Sequence, residues 1–421
     1  MLKASALYIV IIIALVIALL CSALILSAYF YKVEYQQKFR HDRLAHNLRS
    51  GVNILLSDQD NSYLRAQPIS LFDNEQDSVS LQKYPWGIFD IGIVKAFIQR
   101  DTLYEVFSMA NRIDSTKWSA LYLIDEDRPL SLSGNTTIRG EAYLPKAGVK
   151  TAYVDNHSYT GNEKLVQGKI RNSERTLPLL SEPRLQILAK LKNGGLRTSL
   201  PLPETQRVGR SFRVSPLIVK LGKQAVSLQD LQLSGNVIIY SDTTLVIEGS
   251  AVLRNVLVFA PGIVVREGFH GNCQLFATDS ISIAPNCRLE YPSCAGVLRD
   301  TSAVIGFPEK ISIGENSALE GLVFSYEKTK GKLPPVISLG KSSRITGQVY
   351  SQGILSLKDQ VLIQGNVMTS RFLYQNNFTA YENYLIGVTF DAPALSPYFL
   401  ISPMSPVSAN GQKILQWLET R

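Results

Sequence analysis

The chain has 421 residues, enough for two or three domains with an ample core. Its net charge of +8 is local, because residues 150–230 contain fourteen basic and six acidic residues while the remainder is balanced. Nucleic-acid-binding proteins cluster their basic residues in a stripe with interleaved aromatic residues. Here the basic residues are spread out and interrupted by proline, so no nucleic-acid partner is expected.

The N-terminal stretch from Ala4 to Tyr31 contains no charged residue. About 20 apolar residues span a bilayer, so this stretch predicts a transmembrane helix that also projects beyond the membrane. A cleaved secretory signal would have a shorter apolar region followed by a small-residue cleavage site. Cys21 is not expected to carry a lipid, because Leu20 precedes it and the apolar run continues after it.

The predicted helix continues beyond the membrane as an amphipathic segment. Its apolar residues are spaced by four, five, four, four and three positions, which traces one stripe of a helix. They are Tyr35, Phe39, Leu44, Leu48, Val52 and Leu55. We therefore expect residues 1–56 to form one long helix, apolar in its first half and amphipathic in its second.

This N-terminus resembles those of type IV minor pilins and of the K-type pseudopilin of type II secretion. The resemblance is carried by MLKASALYIVIIIALVIALL at the start and by LAHNLRSGVNILL at Leu44–Leu56. It implies processing after a short basic leader, with Ala4 as the last leader residue and Ser5 as the first mature one. Ala4 departs from the usual Gly, and Ile9 stands where most major pilins have Glu. A plain signal anchor is the alternative.

The flanking charges bear on orientation. Five basic residues follow the apolar run (Lys32, Lys38, Arg40, Arg43 and Arg49), whereas only Lys3 and the amino terminus precede it. The positive-inside rule alone would place the large domain in the cytoplasm, but long domains are translocated largely regardless of flanking charge. We expect a single-pass inner-membrane anchor with the C-terminal domain in the periplasm or at the surface. A cytoplasmic orientation is the alternative.

Residues 57–149 are expected to form a β-rich head with a short helix near TLYEVFSMANRI, residues 102–113. The phrase SGNTTIRGEAYLP at Ser133 echoes a repeat found later, so the first coils of that repeat can begin here. The basic segment 150–229 is interpreted as a solvated linker or an irregular insertion. Contact of this segment with an acidic polymer or lipid headgroups is the alternative.

Residues 230–372 contain a repeat of about twenty residues. Each unit begins at an Asn (Asn236, Asn255 or Asn272) and continues with a strand-like run, a turn and a second run. Such a period is typical of a stacked solenoid, so we predict a mainly β protein with a parallel β-solenoid of about seven coils. Val237, Val256 and Cys273 should occupy equivalent positions. A β-sandwich is the alternative.

The stretch GFHGNCQLFATDSISIAPNCRLEYPS, residues 268–293, resembles a segment of uncharacterised bacterial envelope proteins, which implies a shape and no chemistry. The tail, residues 373–421, is expected to cap the solenoid with strands and a short terminal helix, because a solenoid needs its last coil covered.

The search for chemistry predicts no catalytic, cofactor-binding or metal site. Cys273, Cys287 and Cys294 form no closed set of pairs and are expected to face inward as small apolar residues, with a Cys287–Cys294 disulfide as the minority interpretation. The best carboxylate pair for cleaving a polysaccharide is Glu248 and Glu267, which close the second runs of adjacent coils.

The expected function is therefore a non-enzymatic, membrane-anchored envelope protein, a pilin-like or secretion-associated structural or adhesive component. Its expected partners are the membrane and, beyond it, pilin-like or secretion-system subunits or a polysaccharide. Two alternatives stay open. One is a membrane-tethered β-solenoid that binds or cleaves polysaccharide, and the other is a cytoplasm-facing scaffold of the bactofilin kind.

Overall fold

The computed structural model describes residues 2–58, 62–71, 77–114, 118–196, 206–223, 226–299, 308–329, 331–376, 378–407 and 409–420, without the side chains of 2–5, 77, 195–196, 226, 409 and 420. The protein is mainly β, with a long apolar helix at its N-terminus.

The described helices are α1 (Leu2–Ser57), α2 (Glu182–Lys192) and a short 3-10 turn (Asn193–Leu196). The described strands are β1 (Gln67–Ser70), β2 (Asp77–Trp86), β3 (Phe89–Ile98), β4 (Asp101–Ile113), β5 (Ser119–Leu123), β6 (Leu130–Ser133), β7 (Thr137–Arg139), β8 (Glu141–Leu144), β9 (Val149–Thr151), β10 (Val166–Gln167), β11 (Ile170–Asn172), β12 (Arg207–Arg210), β13 (Leu217–Leu221), β14 (Val226–Leu228), β15 (Gln232–Ser241), β16 (Leu245–Ile247), β17 (Val252–Val265), β18 (His270–Ile283), β19 (Arg288–Arg299), β20 (Lys310–Ile313), β21 (Ala318–Glu327), β22 (Val336–Leu339), β23 (Arg344–Leu357), β24 (Leu362–Gln375), β25 (Ala380–Glu382), β26 (Tyr384–Ile386), β27 (Thr389–Asp391), β28 (Leu400–Ile401) and β29 (Ala409–Thr420).

The chain divides into two compact units. The first comprises Met1–Tyr84, Gly92–Val106 and Thr420–Arg421, and the second comprises Pro85–Ile91 and Phe107–Glu419. In the first unit, β1 and β2 are antiparallel, with Gln67 opposite Leu81 and Ser70 opposite Ser78. The core of this unit contains Val79 and Leu81 from β2 and Val94 and Ala96 from β3, all fully buried.

The second unit is dominated by parallel strand pairing. One ladder runs in the order β13, β15, β17, β18, β19, β21, β23, β24, β5, β8 and β11, each strand parallel to the next. A second ladder runs β12, β15, β17, β18, β19, β21, β23, β24, β27, β7 and β10. A third runs β14, β16, β17, β18, β20, β22, β23 and β24. We call these ladders together the parallel stack.

The register of the repeat is as predicted. Val237 pairs with Val256, and Val256 pairs with Cys273. Alternate side chains point into a continuous apolar core, in which Val256 and Val258 are 0% exposed. We call each successive repeat of the parallel stack a row. Just outside the core, Tyr240, Phe259 and Phe276 belong to three consecutive rows and stack on one another, with ring centroids 5.3 and 5.1 Å apart. Equivalent positions of successive repeats therefore lie directly above one another.

The Asn that begins a repeat makes hydrogen bonds at a corner of the stack. The Asn236 side-chain amide donates to the Val214 carbonyl at 2.7 Å, and the Asn255 backbone N–H donates to Asn272 Oδ1 at 2.7 Å. Asn255 itself has a φ of 56°, a left-handed conformation that asparagine tolerates better than most residues. Buried backbone groups need hydrogen-bond partners where the chain turns away from the ladder. The asparagine side chains supply such partners to the Val214 carbonyl and the Asn255 N–H.

The strands at residues 119–144 lie next to rows formed far along the chain. β5 pairs with β24 through Leu121 and Val367, and β7 pairs with β27 through Ile138 and Phe390. The segment 150–229, interpreted from sequence as a linker or insertion, contains strands β9 to β14 and helix α2. Arg184 of α2 is buried and makes a bidentate pair with Asp90 at 2.8 and 2.9 Å.

Two predicted helices are wrong. Residues 102–113 belong to strand β4, and residues 409–420 form strand β29. Val106 to Ala110 are all buried. Because both faces of the strand are covered there, the sequence lacks the alternation of apolar and polar residues that indicates a strand. β29 pairs with β4, and Phe107 packs on Trp417 with centroids 5.4 Å apart. An isolated helix of about a dozen residues is marginal in water, so this pairing decides the structure.

Candidate functional site

The candidate functional site is helix α1, because its two halves have opposite environments. One continuous helix runs from Leu2 to Ser57. Its segment from residue 6 has a mean hydropathy of 3.4 over its most apolar window, and none of that window is buried. Length and composition make this helix able to cross a membrane. The side chains of Ala4 and Ser5, the predicted processing site, lie outside the described residues.

The second half of α1 is covered by the first unit. Leu44, Leu48, Val52 and Leu55 are all buried, which confirms that part of the predicted stripe. Tyr35 and Phe39, also assigned to the stripe, are exposed. The covered part of the helix therefore begins near Leu44, and the exposed apolar surface extends further along the helix than the uncharged segment.

A glycine allows the helix to approach the sheet closely. A Cβ on Gly51 would lie 2.6 Å from Val94 Cγ1 and 3.0 Å from Leu81 Cδ2. Glycine within a helix costs about 1 kcal/mol relative to alanine, so its presence here is explained by this contact. A glycine in the middle of an amphipathic segment was the sequence signal for it.

Charged groups also fix the second half of α1. Arg40 Nε lies 3.3 Å from Asp101 Oδ2. Beyond the helix end, Lys83 Nζ donates to the Asp58 carbonyl oxygen at 2.8 Å and lies 3.6 Å from Oδ2 of the same residue. Both side chains of this pair are almost fully buried, and removing one partner of a buried pair is strongly destabilising. The pair therefore ties the end of α1 to strand β2.

The carboxylates proposed from sequence as a cleavage pair make bonds along the stack instead. Ser227 Oγ donates to Glu248 Oε1 at 2.9 Å, and Asn286 Nδ2 donates to Glu267 Oε1 at 2.8 Å. Each donor belongs to a neighbouring row. Glu248 and Glu267 therefore connect successive rows at a corner of the stack.

The second unit contains two sizeable cavities. Glycoside hydrolysis would require a pair of carboxyl groups in one of them. The first, about 610 Å³, is lined by one carboxylate, Glu141, and that group pairs with Arg171. The second, about 480 Å³, is lined by Asp242, which lies 3.8 Å from Lys220. Among the described lining residues, neither cavity brings two carboxyl groups together.

Sequence reasoning missed a buried cluster beside strands β19 to β21. Arg299 lies 2.5 Å from Glu309 and 3.7 Å from Glu327, and both carboxylates are almost fully buried. Burial, together with the hydrogen bond and charge of Glu327, raises the pKa of Glu309 to about 8, although Arg299 opposes the shift. One cation facing two carboxylates favours retention of a proton on the pair. No local pattern indicated this cluster, because its members are joined only by the stacking of rows.

The cysteines of the stack are buried and free. Burial raises the pKa of Cys273 to about 12 and that of Cys294 well above its ordinary value. Cys287 Sγ donates to the Arg266 carbonyl at 3.1 Å. A protonated buried thiol is a poor nucleophile and a poor metal ligand. Cys273 and Cys287 belong to the apolar core, as predicted. The prediction is wrong for Cys294, which is buried but lies in register with Gln274, outside that core.

No protein-family model matches the chain, and no curated protein matches it. Among solved structures, the chain has a distant similarity to the competence-associated pilin ComZ from Thermus thermophilus. The sequence identity is 11%, the aligned part covers 85% of this chain and 86% of that chain, and the TM-score is 0.25. A TM-score this low defines no common fold.

Proposed function

We propose that the protein is a non-enzymatic, membrane-anchored envelope component of the pilin-like kind, whose parallel stack is a β-solenoid serving assembly or adhesion. The observation that carries this proposal is the single helix α1, which is apolar and exposed from residue 6 to Tyr31 and has a buried stripe from Leu44 to Leu55. A plain anchor needs only the apolar part. A pilin-like helix also needs an unbroken connection between its apolar half and the head.

Continuity of α1 is tested by Leu44→Pro, because proline inside a helix costs about 3 kcal/mol or more. The variant should stay in the membrane but lose incorporation into envelope complexes, measured by cross-linking and native electrophoresis of membranes. Leu44→Ala is the matched control, since it removes the same buried side chain and keeps the helix. If Leu44→Pro and Leu44→Ala assemble equally well, α1 is only a signal anchor.

Processing is a further part of the proposal. Cleavage after Ala4 would leave Ser5 as the first residue of the mature chain. Mass spectrometry of the protein purified from its own membranes should give that start. An intact Met1 in a fully assembled protein would contradict the pilin-like interpretation.

The alternative with a specific observation in its favour is a cytoplasm-facing scaffold. Lys32, Lys38, Arg40 and Arg43 follow the apolar run, and such residues favour the cytoplasmic side. Protease added to cells with a permeabilised outer membrane should digest the exposed loops of an outward-facing domain. Protection until the inner membrane is broken would support the scaffold and reject the envelope component.

A further inference from the structure

The second unit carries an aromatic surface that the proposed anchor does not use, made of half-buried tyrosine rings and one exposed phenylalanine. At the end of β24 the chain folds back as a hairpin, with Tyr374 directly opposite Tyr381. We call residues 373–376 and 378–384 the aromatic hairpin. The Tyr374 and Tyr381 ring centroids are 6.3 Å apart, and those of Tyr381 and Tyr384 are 5.4 Å apart. Three tyrosine rings therefore form a row.

The tip of this hairpin exposes a large apolar ring. Phe378 is 94% exposed, while its own backbone N–H and that of Thr379 donate to Asn376 Oδ1 at 2.9 and 2.7 Å. Asn376 therefore fixes the backbone of Phe378 and Thr379. An exposed aromatic ring offers a large apolar face to a partner.

Acceptor groups lie beside the rings. Tyr374 donates its hydroxyl to Asp155 Oδ2 at 2.6 Å, and Asn376 Nδ2 donates to Asp155 Oδ1 at 3.3 Å. The adjacent Tyr153 is largely exposed and donates to Asn156 Oδ1 at 3.2 Å. Carboxylate and amide oxygens have lone pairs to spare after these bonds. The surface therefore combines flat apolar faces with hydroxyl-binding acceptors.

The local charge restricts the partner. The carboxylates of Asp155 and Asp359 both act on Tyr374 and, together with burial, raise its pKa to about 12. Cations lie there as well, since Lys358 donates to the Gln375 carbonyl at 3.2 Å and Arg128 and Arg371 pair with Glu382. A surface of mixed charge does not specifically attract an anionic lipid surface or an acidic polymer. A protein partner would bury the rings in an interface core, where charged residues are depleted. Here the Asp155 carboxylate accepts a hydrogen bond from the hydroxyl of Tyr374.

We propose that the aromatic hairpin binds a neutral glycan chain, with sugar rings stacked on the three tyrosines and Phe378 and hydroxyl groups donated to Asp155 and the neighbouring amides. Sugars present C–H faces that pack on aromatic rings and hydroxyl edges that donate to acceptors, and aromatic side chains supply an apolar body with a polar group at one end. This inference does not depend on how α1 is anchored.

The test measures binding of the full chain in a detergent without sugar headgroups. The probes are chitohexaose, cellohexaose and phosphatidylglycerol vesicles. We expect the wild type to bind at least one oligosaccharide in calorimetry and not the vesicles. Phe378→Leu and Tyr381→Leu should each weaken that binding about fivefold or more, because leucine keeps apolar area but has no flat ring.

Matched variants separate stacking from general apolarity. Phe378→Tyr and Tyr381→Phe keep the rings and should bind like the wild type. Phe378 is exposed, so its substitution should leave the thermal unfolding unchanged. The proposal is overturned if the leucine variants bind as well as the wild type, if the wild type binds neither oligosaccharide, or if it binds the vesicles instead.

Discussion

Apolar side chains in the first half of α1 and in the parallel stack have opposite environments, although their composition is similar. From Leu7 to Leu26, the leucine, isoleucine and valine residues of α1 lie around the whole helix and are exposed. In the stack, Ile281 and Ile283 are 1% and 2% exposed and alternate with the exposed Ser280 and Ser282. An alternating pattern specifies one face to be buried by the chain itself. An unbroken apolar helix specifies burial by something other than the chain.

The largest expected effect comes from placing a charge in each region. Val258→Asp buries an unpaired carboxylate in the stack and should lower the free energy of unfolding by about 4 kcal/mol or more. Val16→Asp should leave that free energy unchanged, while the charge costs about 3 kcal/mol in the bilayer and weakens membrane retention. Urea unfolding in detergent and carbonate extraction of membranes measure the two quantities. A lower free energy of unfolding in Val16→Asp would contradict the prediction that this part of α1 is not buried by the chain itself.

Removing apolar volume should give a smaller effect with the same contrast, now within α1. Leu48 is buried and Leu19 is exposed. Leu48→Ala should lower the free energy of unfolding by about 2–5 kcal/mol, whereas Leu19→Ala should change it by less than about 0.5 kcal/mol. Equal effects, measured by denaturant unfolding, would show that the two halves of α1 are not distinct.

Adding volume at the covered half should be milder again. In Gly51→Ala the new methyl meets Val94 Cγ1 at 2.6 Å, which should cost about 1–3 kcal/mol, partly offset by up to about 1 kcal/mol of helix propensity. Gly51→Ala combined with Val94→Ala removes the clash. A double-mutant cycle should therefore give a favourable coupling of at least about 0.5 kcal/mol. Additive effects would contradict the close contact of helix and sheet.

The buried cluster at Glu309 predicts a pH dependence within the stack. The pKa of Glu309 is raised from 4.5 to about 8 in the folded protein, so the folded state holds a proton that the unfolded state releases. Stability from this group is fully present below pH 4.5 and is lost as pH rises towards about 8. Glu309→Gln should flatten that decline in thermal unfolding measured across this range. Glu267→Gln, at an exposed carboxylate, is the control and should leave the slope unchanged.

The smallest effect is expected at the row-connecting carboxylates. Glu248→Gln with Glu267→Gln keeps an acceptor oxygen at each position, so stability should change by less than about 1 kcal/mol. Assembly and glycan binding should also be unchanged. Loss of a polysaccharide-cleaving activity in the double variant, with folding intact, would instead indicate an enzyme.

Local periodicity predicted the long helix and the register of Val237, Val256 and Cys273, because both patterns are set by neighbours in the chain. It failed at β4 and β29, where burial of both faces or pairing with a distant strand decides the conformation. The same limit applies to the sites. Gly51 had a signal in the sequence, but the contact of Arg299 with Glu309, and the pairing of Tyr374 with Asp155, arise only when separate rows come together.

The pairing of β5 with β24 has a consequence for biosynthesis. Leu121 pairs with Val367, which is synthesised about 246 residues later. At a synthesis rate of about 5–20 residues per second the delay is roughly 12 to 50 seconds. During that time the β5 edge has backbone donors and acceptors without their final partner, and such edges invite pairing with other chains. Completion of the stack is therefore one of the last events in making this protein.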